Sequence, residues 1–317
     1  MELWFSEHHS ADVKLSLRVR HQLFSRHSDL QLIQVLDSYE FGRVLVLDGV
    51  IMLTEKDEFI YHEMLVHVPM GVNPNVKRAL IIGGGDGGAL RELCRYPGVE
   101  EIILVELDPM VVSVARRFLP TTALSFSDPR VTVVYEDGLR YVRRANTPFD
   151  LIIVDSTDPF GVGESLFSRE FYGNCRRALA KNGILVNQHE GPYYREESEE
   201  AATIFSRTSK IFPVSRVYQA NIPTYPGGHW LFGFISKGLD PIANYDAKRW
   251  LSLGIETRYY NPELHVGSFA LPTYVNRLLE KGEILDDVFK RVIQGQIWPP
   301  DHDKIEKAEE AVDNRPQ

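Results

Sequence analysis

Two aspartates three positions apart, Asp155 and Asp158, close the apolar run in FDLIIVDSTDPFGVGESLF at residues 149–167. A third, Asp86, sits among the glycines of IIGGGDGGALREL at residues 81–93. Carboxylates at the mouth of a sheet are costly unless a cation neutralises them. The chemistry in view is therefore recognition of a positively charged ligand, and a polyamine or a metal ion is the natural partner of Asp155 and Asp158. Magnesium would ask for further oxygen ligands in octahedral array. The neighbouring signals are aromatic instead: Tyr61 and His62 in FIYHEML and Tyr225 in NIPTYPGGHW suit a slot for an aliphatic chain with charged ends. The bland alternatives are turn-capping aspartates before Pro159 and a packing role for His62.

Gly83, Gly85 and Gly88 satisfy G-x-G-x-x-G directly after a predicted strand and at the start of a predicted helix. Glu106 ends the next strand about twenty residues on, where an acid grips ribose hydroxyls. This predicts a nucleoside ligand, although glycines can also serve only to pack a helix on a sheet. Asp86 separates the possible nucleosides. Beside a pyrophosphate a carboxylate would cost about 1 to 4 kcal/mol at ~4 Å, whereas beside an ammonium or sulfonium it attracts, which points to an S-adenosyl sulfonium compound. In YEDGLRYV, Asp137 and Gly138 fall at the carboxyl end of a third strand. There Asp137 can accept from an adenine amino group, cap the following helix, or do both.

These residues need a scaffold, and two textures supply it. Up to about residue 55, VKLSLRVR and LQLIQVLDS alternate apolar and polar positions, with turn signals at Gly42 and Asp48-Gly49. That period of two predicts a small antiparallel β domain. From Lys77 strand and helix signals alternate, as in RALIIG, GALRELCRY, EIILVEL and PMVVSVARRFL, and continue through RVTVVY, FDLIIVD, GILVNQ and VSRVYQA. Such alternation predicts an α/β domain with a largely parallel sheet. The divisions are 1–57, 58–290 and a charged tail at 291–317, the last predicted to be disordered or a loosely attached helix.

Of the 317 residues, 44% are apolar and 25% charged, ordinary for a globular enzyme. A net charge of −9 argues against nucleic acid as a partner. The N-terminus lacks an apolar leader segment, and no apolar run approaches the ~18 residues of a membrane helix, so a cytoplasmic protein is expected. Cys94 and Cys175 have no metal-type spacing and are expected to be buried packing residues.

Taken in order, FGRVLVLDG, DEFIYHEM, IIGGGDGG, VELD, DSTDP, GESLF and IPTYPGG resemble spermidine synthase, the polyamine aminopropyltransferase family, over roughly residues 1–285. The resemblance implies an N-terminal β-strand domain and a Rossmann-like, methyltransferase-type domain, assembled as a homodimer or homotetramer. It also implies transfer of an aminopropyl group from decarboxylated S-adenosylmethionine (S-adenosylmethioninamine) to putrescine, giving spermidine and 5′-methylthioadenosine. The donor is a co-substrate, and no metal or resident cofactor takes part. By motif, Gln31, His62, Gly83, Gly85, Asp86, Glu106, Asp137 and Gly138 resemble donor-binding positions, with Glu106 on the ribose and Asp86 on the aminopropyl amine. Asp155 resembles the proton acceptor. Tyr61, Asp155, Asp158, Gln188 and Tyr225 resemble the diamine slot, and residues 159–166, with Pro159, Val162 and Glu164, resemble the gate. Val162 departs from the family pattern, where proline is common, and NQHEGPYY around Gln188 also differs from several relatives.

A primary amine with pKa near 10.4 must lose a proton before it attacks, which costs about 4.6 kcal/mol at pH 7. An ordinary aspartate is a poor base for it, so desolvation is expected to narrow the gap. Cadaverine, agmatine or spermidine are alternative acceptors. A putrescine N-methyltransferase would use intact S-adenosylmethionine, but no basic residue stands out to receive that donor's carboxylate. A non-catalytic polyamine-binding module would not need both an adenosyl site and Asp155.

Overall fold

The computed structural model describes residues 2–157 and 161–294. Asp158, Pro159 and residues 295–317 of the charged tail lie outside the described residues, and of Val162 and Glu164 only the backbone is described.

Strands β1 (Leu3–His8), β2 (Lys14–His27), β3 (Leu32–Ser38), β4 (Arg43–Leu47) and β5 (Val50–Thr54) form an antiparallel meander in chain order. Leu47 pairs with Val50 across Asp48-Gly49, whose φ values of 49° and 89° match the tight hairpin turn that such a pair favours. The centre of this sheet is buried on both faces. Leu36, Val44, Val46 and Ile51 pack together on one side, while Ile33, Val35, Leu45 and Leu53 join the main core on the other.

Helix α1 (Glu58–Val72) follows and is buried almost all round, so its sequence shows no amphipathic stripe. The remaining elements, in chain order, are β6 (Arg78–Gly83), α2 (Gly88–Cys94), β7 (Glu101–Glu106), α3 (Pro109–Phe118), α4 (Pro120–Ala123), β8 (Val131–Tyr135), α5 (Gly138–Arg144), β9 (Phe149–Asp155), α6 (Arg169–Ala178), β10 (Leu179–Gln188), α7 (Arg195–Ile211), β11 (Val214–Asn221), β12 (His229–Ser236), α8 (Ala247–Ser252), α9 (Pro262–Gly267), α10 (Thr273–Lys281) and α11 (Leu285–Ile293). The second sheet runs β11-β12-β10-β9-β6-β7-β8. Its five strands from β10 to β8 are parallel, as the alternation predicts. VSRVYQA does not continue the parallel run: the short connection through IPTYPGG reverses the chain, and β11 and β12 add an antiparallel edge. Strand order departs in opposite directions from the β6/β9 pair, the switch point where open α/β sheets bind ligands.

Three further details correct or sharpen the sequence reading. Helix α11 runs to Ile293, across the division placed at 290/291. Cys175 is buried but Cys94 is only partly so. No helix among the described residues is long and apolar enough to cross a membrane.

α1 is held in place by polar as well as apolar contacts. The buried Glu63 carboxylate accepts from the backbone N–H groups of Arg258 (2.9 and 3.2 Å), Tyr259 (2.8 Å) and Tyr260 (2.9 Å). Replacing it by Glu63→Gln turns an NH2 toward donors it cannot satisfy. Urea unfolding is expected to show a loss of about 1 to 3 kcal/mol; a loss under ~0.5 kcal/mol would mean that this anchor is dispensable.

Candidate active site

The carboxyl ends of the parallel strands converge on one cleft. Gly83 pairs with Asp155 at the end of the β6/β9 ladder, and Gly84 N donates to Asp155 O at 2.7 Å. A Cβ on Gly83 would lie 2.1 Å from that backbone oxygen, and its φ is +79°, so glycine is required there. One strand over, Glu106 accepts from Gly85 N (3.1 Å) and Asp108 N (3.0 Å). Asp137 caps α5 by accepting from Arg140 N at 2.7 Å, so the capping role is realised. Gln31 reaches the cleft from the first sheet, where its amide and Ser28 Oγ both donate to Asp108 (3.1 and 2.6 Å). Thus Gln31, His62, Gly83, Gly85, Asp86, Glu106, Asp137 and Gly138 line one cleft, together with Tyr61, Asp155 and Tyr225.

Electrostatics in the cleft are set by a chain of buried charges. Arg91 donates to both oxygens of Glu58 (2.8 and 2.9 Å), Glu58 meets His62 Nδ1 at 2.6 Å, and His62 Nε2 faces Asp86 at 3.3 Å. Burial pulls the imidazole toward neutrality, but Asp86 and Glu58 outweigh it and raise the His62 pKa to about 10. Burial likewise opposes ionisation of Glu58 and Asp86. The neighbouring cations win, holding Glu58 at about 2 and Asp86 below the usual carboxylate range. For Asp155 the balance goes the other way: burial first, then the Asp86 charge, raise it to about 7 against the weaker pull of the His62 charge and of a hydrogen bond with Tyr61. Its Oδ2 is buried and has no hydrogen-bond partner among the described residues. Tyr61 lies against it, and burial together with Asp155 keeps the phenol protonated. Glu106 is also pushed up to about 7 by burial, against its backbone hydrogen bonds.

His62, Asp86 and Asp155 offer ligand atoms that all lie within 4.8 Å of one another. Both nitrogens of His62 are already aimed at carboxylates, however, and an imidazolium has no lone pair for a metal. The remaining acceptors, one of them unpartnered, suit an ammonium group.

Gln188 stands outside the main cleft. It lines an adjoining cavity with Glu7, Glu197, Tyr61, Tyr225 and Trp230. Its amide is locked to Glu190, donating to Oε1 (2.6 Å) and accepting from the backbone N (3.0 Å), and Glu190 has a φ of +64°.

Sequence reasoning missed Glu58, Arg91, Glu7 and Glu197. Glu58 and His62 stand four apart, the spacing of facing residues on one helix, and that signal could have found the pair. Glu7 and Glu197 lie far apart in the chain and carry no comparable local mark.

Residues 58–246 match the spermine/spermidine synthase domain family, and residues 3–55 match the spermidine synthase tetramerisation domain. The chain is 55% identical over 283 residues to a polyamine aminopropyltransferase of Alkaliphilus oremlandii, covering 89% of this chain and 100% of that one. It is 58% identical over 280 residues to one of Clostridium perfringens, covering 88% and 99%. Among solved structures it is similar to a spermidine synthase in complex with the transition-state analogue AdoDATO, with a TM-score of 0.85, 44% identity and coverage of 87% and 94%. The spermidine synthase of Thermotoga maritima gives 0.82, 43% and the same coverage.

The raised Asp155 is directly testable. In the free protein its carboxyl is expected to titrate near pH 7, as the acid below and the carboxylate above; Asp86→Asn removes the like charge and should lower that midpoint. Carbon-13 NMR of labelled aspartate would read both, and an Asp155 midpoint near ~4 in the wild-type protein would overturn the electrostatic account. Gly88 offers a second test, because a Cβ there would lie 2.1 to 2.4 Å from His62 ring atoms. Gly88→Ala should cost about 1 to 3 kcal/mol in urea unfolding. Gly98, with nothing within 4 Å, is the control, and equal losses at both positions would refute the contact.

Proposed function

The chain belongs to the spermine/spermidine synthase family and is a polyamine aminopropyltransferase; from that premise we propose that its donor is decarboxylated S-adenosylmethionine and its acceptor putrescine. The observation that carries the reading is the pair Asp86 and Asp155 at the switch point of the sheet, next to the glycine loop and Glu106. Glu106 suits ribose hydroxyls, and Asp86 suits the amine that only the decarboxylated donor presents without a carboxylate beside it.

In the reaction the acceptor's neutral amine nitrogen attacks the aminopropyl carbon bonded to sulfur. The new C–N bond forms as the C–S bond breaks, its electron pair returns to sulfur, and 5′-methylthioadenosine leaves. The nitrogen's extra proton passes to Asp155. Tyr61 helps hold the nucleophile, and the second cavity with Gln188 and Tyr225 suits the remainder of the diamine. Asp158 and the gate residues Pro159, Val162 and Glu164 belong to the proposal on motif alone. Neither a metal nor a resident cofactor enters these steps. The tetramerisation-domain match and the exposed Leu3, Trp4 and Leu23 on the first sheet support a homodimer or homotetramer. A cytoplasmic setting, with no nucleic acid or membrane as partner, completes the proposal.

The test is mass spectrometry of products from a panel of putrescine, cadaverine, agmatine and spermidine with the decarboxylated donor, and in parallel with intact S-adenosylmethionine. Spermidine and methylthioadenosine are expected with EDTA present, and Asp155→Asn should lower turnover about a hundredfold or more. A methylated amine from the intact donor, or near-normal turnover of Asp155→Asn, would overturn the reading.

A further inference from the structure

Asp57 stands at the N-terminus of α1, where an aspartate ordinarily accepts from the helix's first free N–H groups. Its side chain does not. The carboxylate instead accepts from Thr54 Oγ1 at 2.5 Å, and from Thr224 twice, the hydroxyl at 2.7 Å and the backbone N at 3.2 Å. Asp57 is 4% exposed and Thr224 0%, so neither bond is replaced by water at little cost. At the helix start the Asp57 carbonyl accepts from Ile60 N at 3.0 Å.

Three elements meet at this one carboxylate. Thr54 ends β5, Asp57 opens α1, and Thr224 lies in the connection between β11 and β12. Each carries a wall of the cavities close by. Tyr61 is one turn along α1, and Tyr225 follows Thr224 and donates to Met52 O of β5 at 2.7 Å. The two tyrosine rings are 5.9 Å apart. Met52, Tyr61 and Tyr225 line both the main cleft and the second cavity, so the tyrosines stand at their boundary.

The geometry points to Asp57 as a positioning residue that, through Thr224, fixes the gap between Tyr61 and Tyr225 and so determines which acceptor chain length fits. The inference rests on the reaction proposed above. It makes the junction between the first sheet and the catalytic domain part of acceptor selection rather than of donor binding, because the side-chain hydrogen bonds of Asp57 end on Thr54 and Thr224 and on none of the donor-side residues named above.

The experiment compares the full-length wild type with Asp57→Ala, Thr224→Val and the conservative Asp57→Asn. Asp57→Ala and Thr224→Val are expected to raise the putrescine KM about fivefold or more and to change the putrescine-to-cadaverine ratio of kcat/KM by about threefold or more. The donor KM and the calorimetric affinity for methylthioadenosine should stay within about twofold, and Asp57→Asn, which keeps an acceptor toward Thr224, should lie near wild type. A general loss of stability would not move the acceptor ratio while sparing the donor. Thr224→Val removes one hydroxyl and decides the matter if Asp57→Ala does not fold. An unchanged acceptor KM and ratio, or equal losses for donor and acceptor, overturns the inference alone; a wild type that transfers no aminopropyl group overturns the parent reaction and this inference with it.

Discussion

Holding Asp86 and Asp155 side by side at the carboxyl edge of the parallel sheet is the constraint around which the rest of the site is arranged. Two carboxylates so placed cannot both stay charged without a counter-ion. Among the described residues the cation beside the pair is His62, which forms its ion pair with Asp86 and lowers Asp155 by less than burial and Asp86 raise it. Left alone a buried imidazole would lose its proton, so Glu58 sits on its other nitrogen, and Arg91 in turn balances Glu58. The outcome is asymmetric: Asp86 is held anionic, whereas Asp155 is raised to about 7. The packing obeys the same constraint, because Gly88 leaves the space that the His62 ring needs.

Sheet topology then explains why so many acids share one edge. Glu106 and Asp155 end β7 and β9, Asp86 and Asp137 follow β6 and β8 in the next loop, and Gln188 ends β10. Parallel strands all finish on the same side, so each contributes one polar group to a common rim. Other groups come from elsewhere: α1 supplies Tyr61 and His62, the connection between β11 and β12 supplies Tyr225, and the first sheet supplies Gln31 through its bond to Asp108.

That division also marks what was legible in the sequence. Asp86, Glu106, Asp137 and Asp155 could be found because a local rule applies to them: an apolar run ends, a small or acidic residue follows, and a helix begins. The hairpin at Asp48-Gly49 and the helix start at Pro109 were legible for the same reason, their conformations being dictated by neighbouring residues. Nothing local marks the bond from Asp57 to Thr224, which joins residues 167 positions apart, or the anchoring of residues 258–260 on Glu63. The near-total burial of α1 hid it in the same way, since a helix buried on every side, with Glu58, His62, Glu63 and His67 among its buried residues, has no periodic stripe to read. Strand direction at β11 and β12 was set by the length of a connection, and the strand segments themselves do not encode it.

The proton balance joins this arrangement to the proposed reaction. Between an ordinary alkylammonium near 10.4 and an ordinary aspartic acid near 3.9 the pKa gap is about 6.5, so direct transfer would be uphill by about 9 kcal/mol. Raising Asp155 to about 7 reduces the gap to about 3.4, or about 5 kcal/mol. A cationic donor entering beside Asp86 would pull Asp155 back toward the carboxylate, but its sulfonium would equally favour the neutral form of an amine brought next to it. These two effects act on opposite partners of the same transfer. In the proposed reaction Asp155 would thus be available as a base once the donor is seated, and would gain basicity again when C–S cleavage turns the sulfonium into a neutral thioether. The base becomes strongest at the stage when the nitrogen, newly bonded to four groups, has a proton to lose.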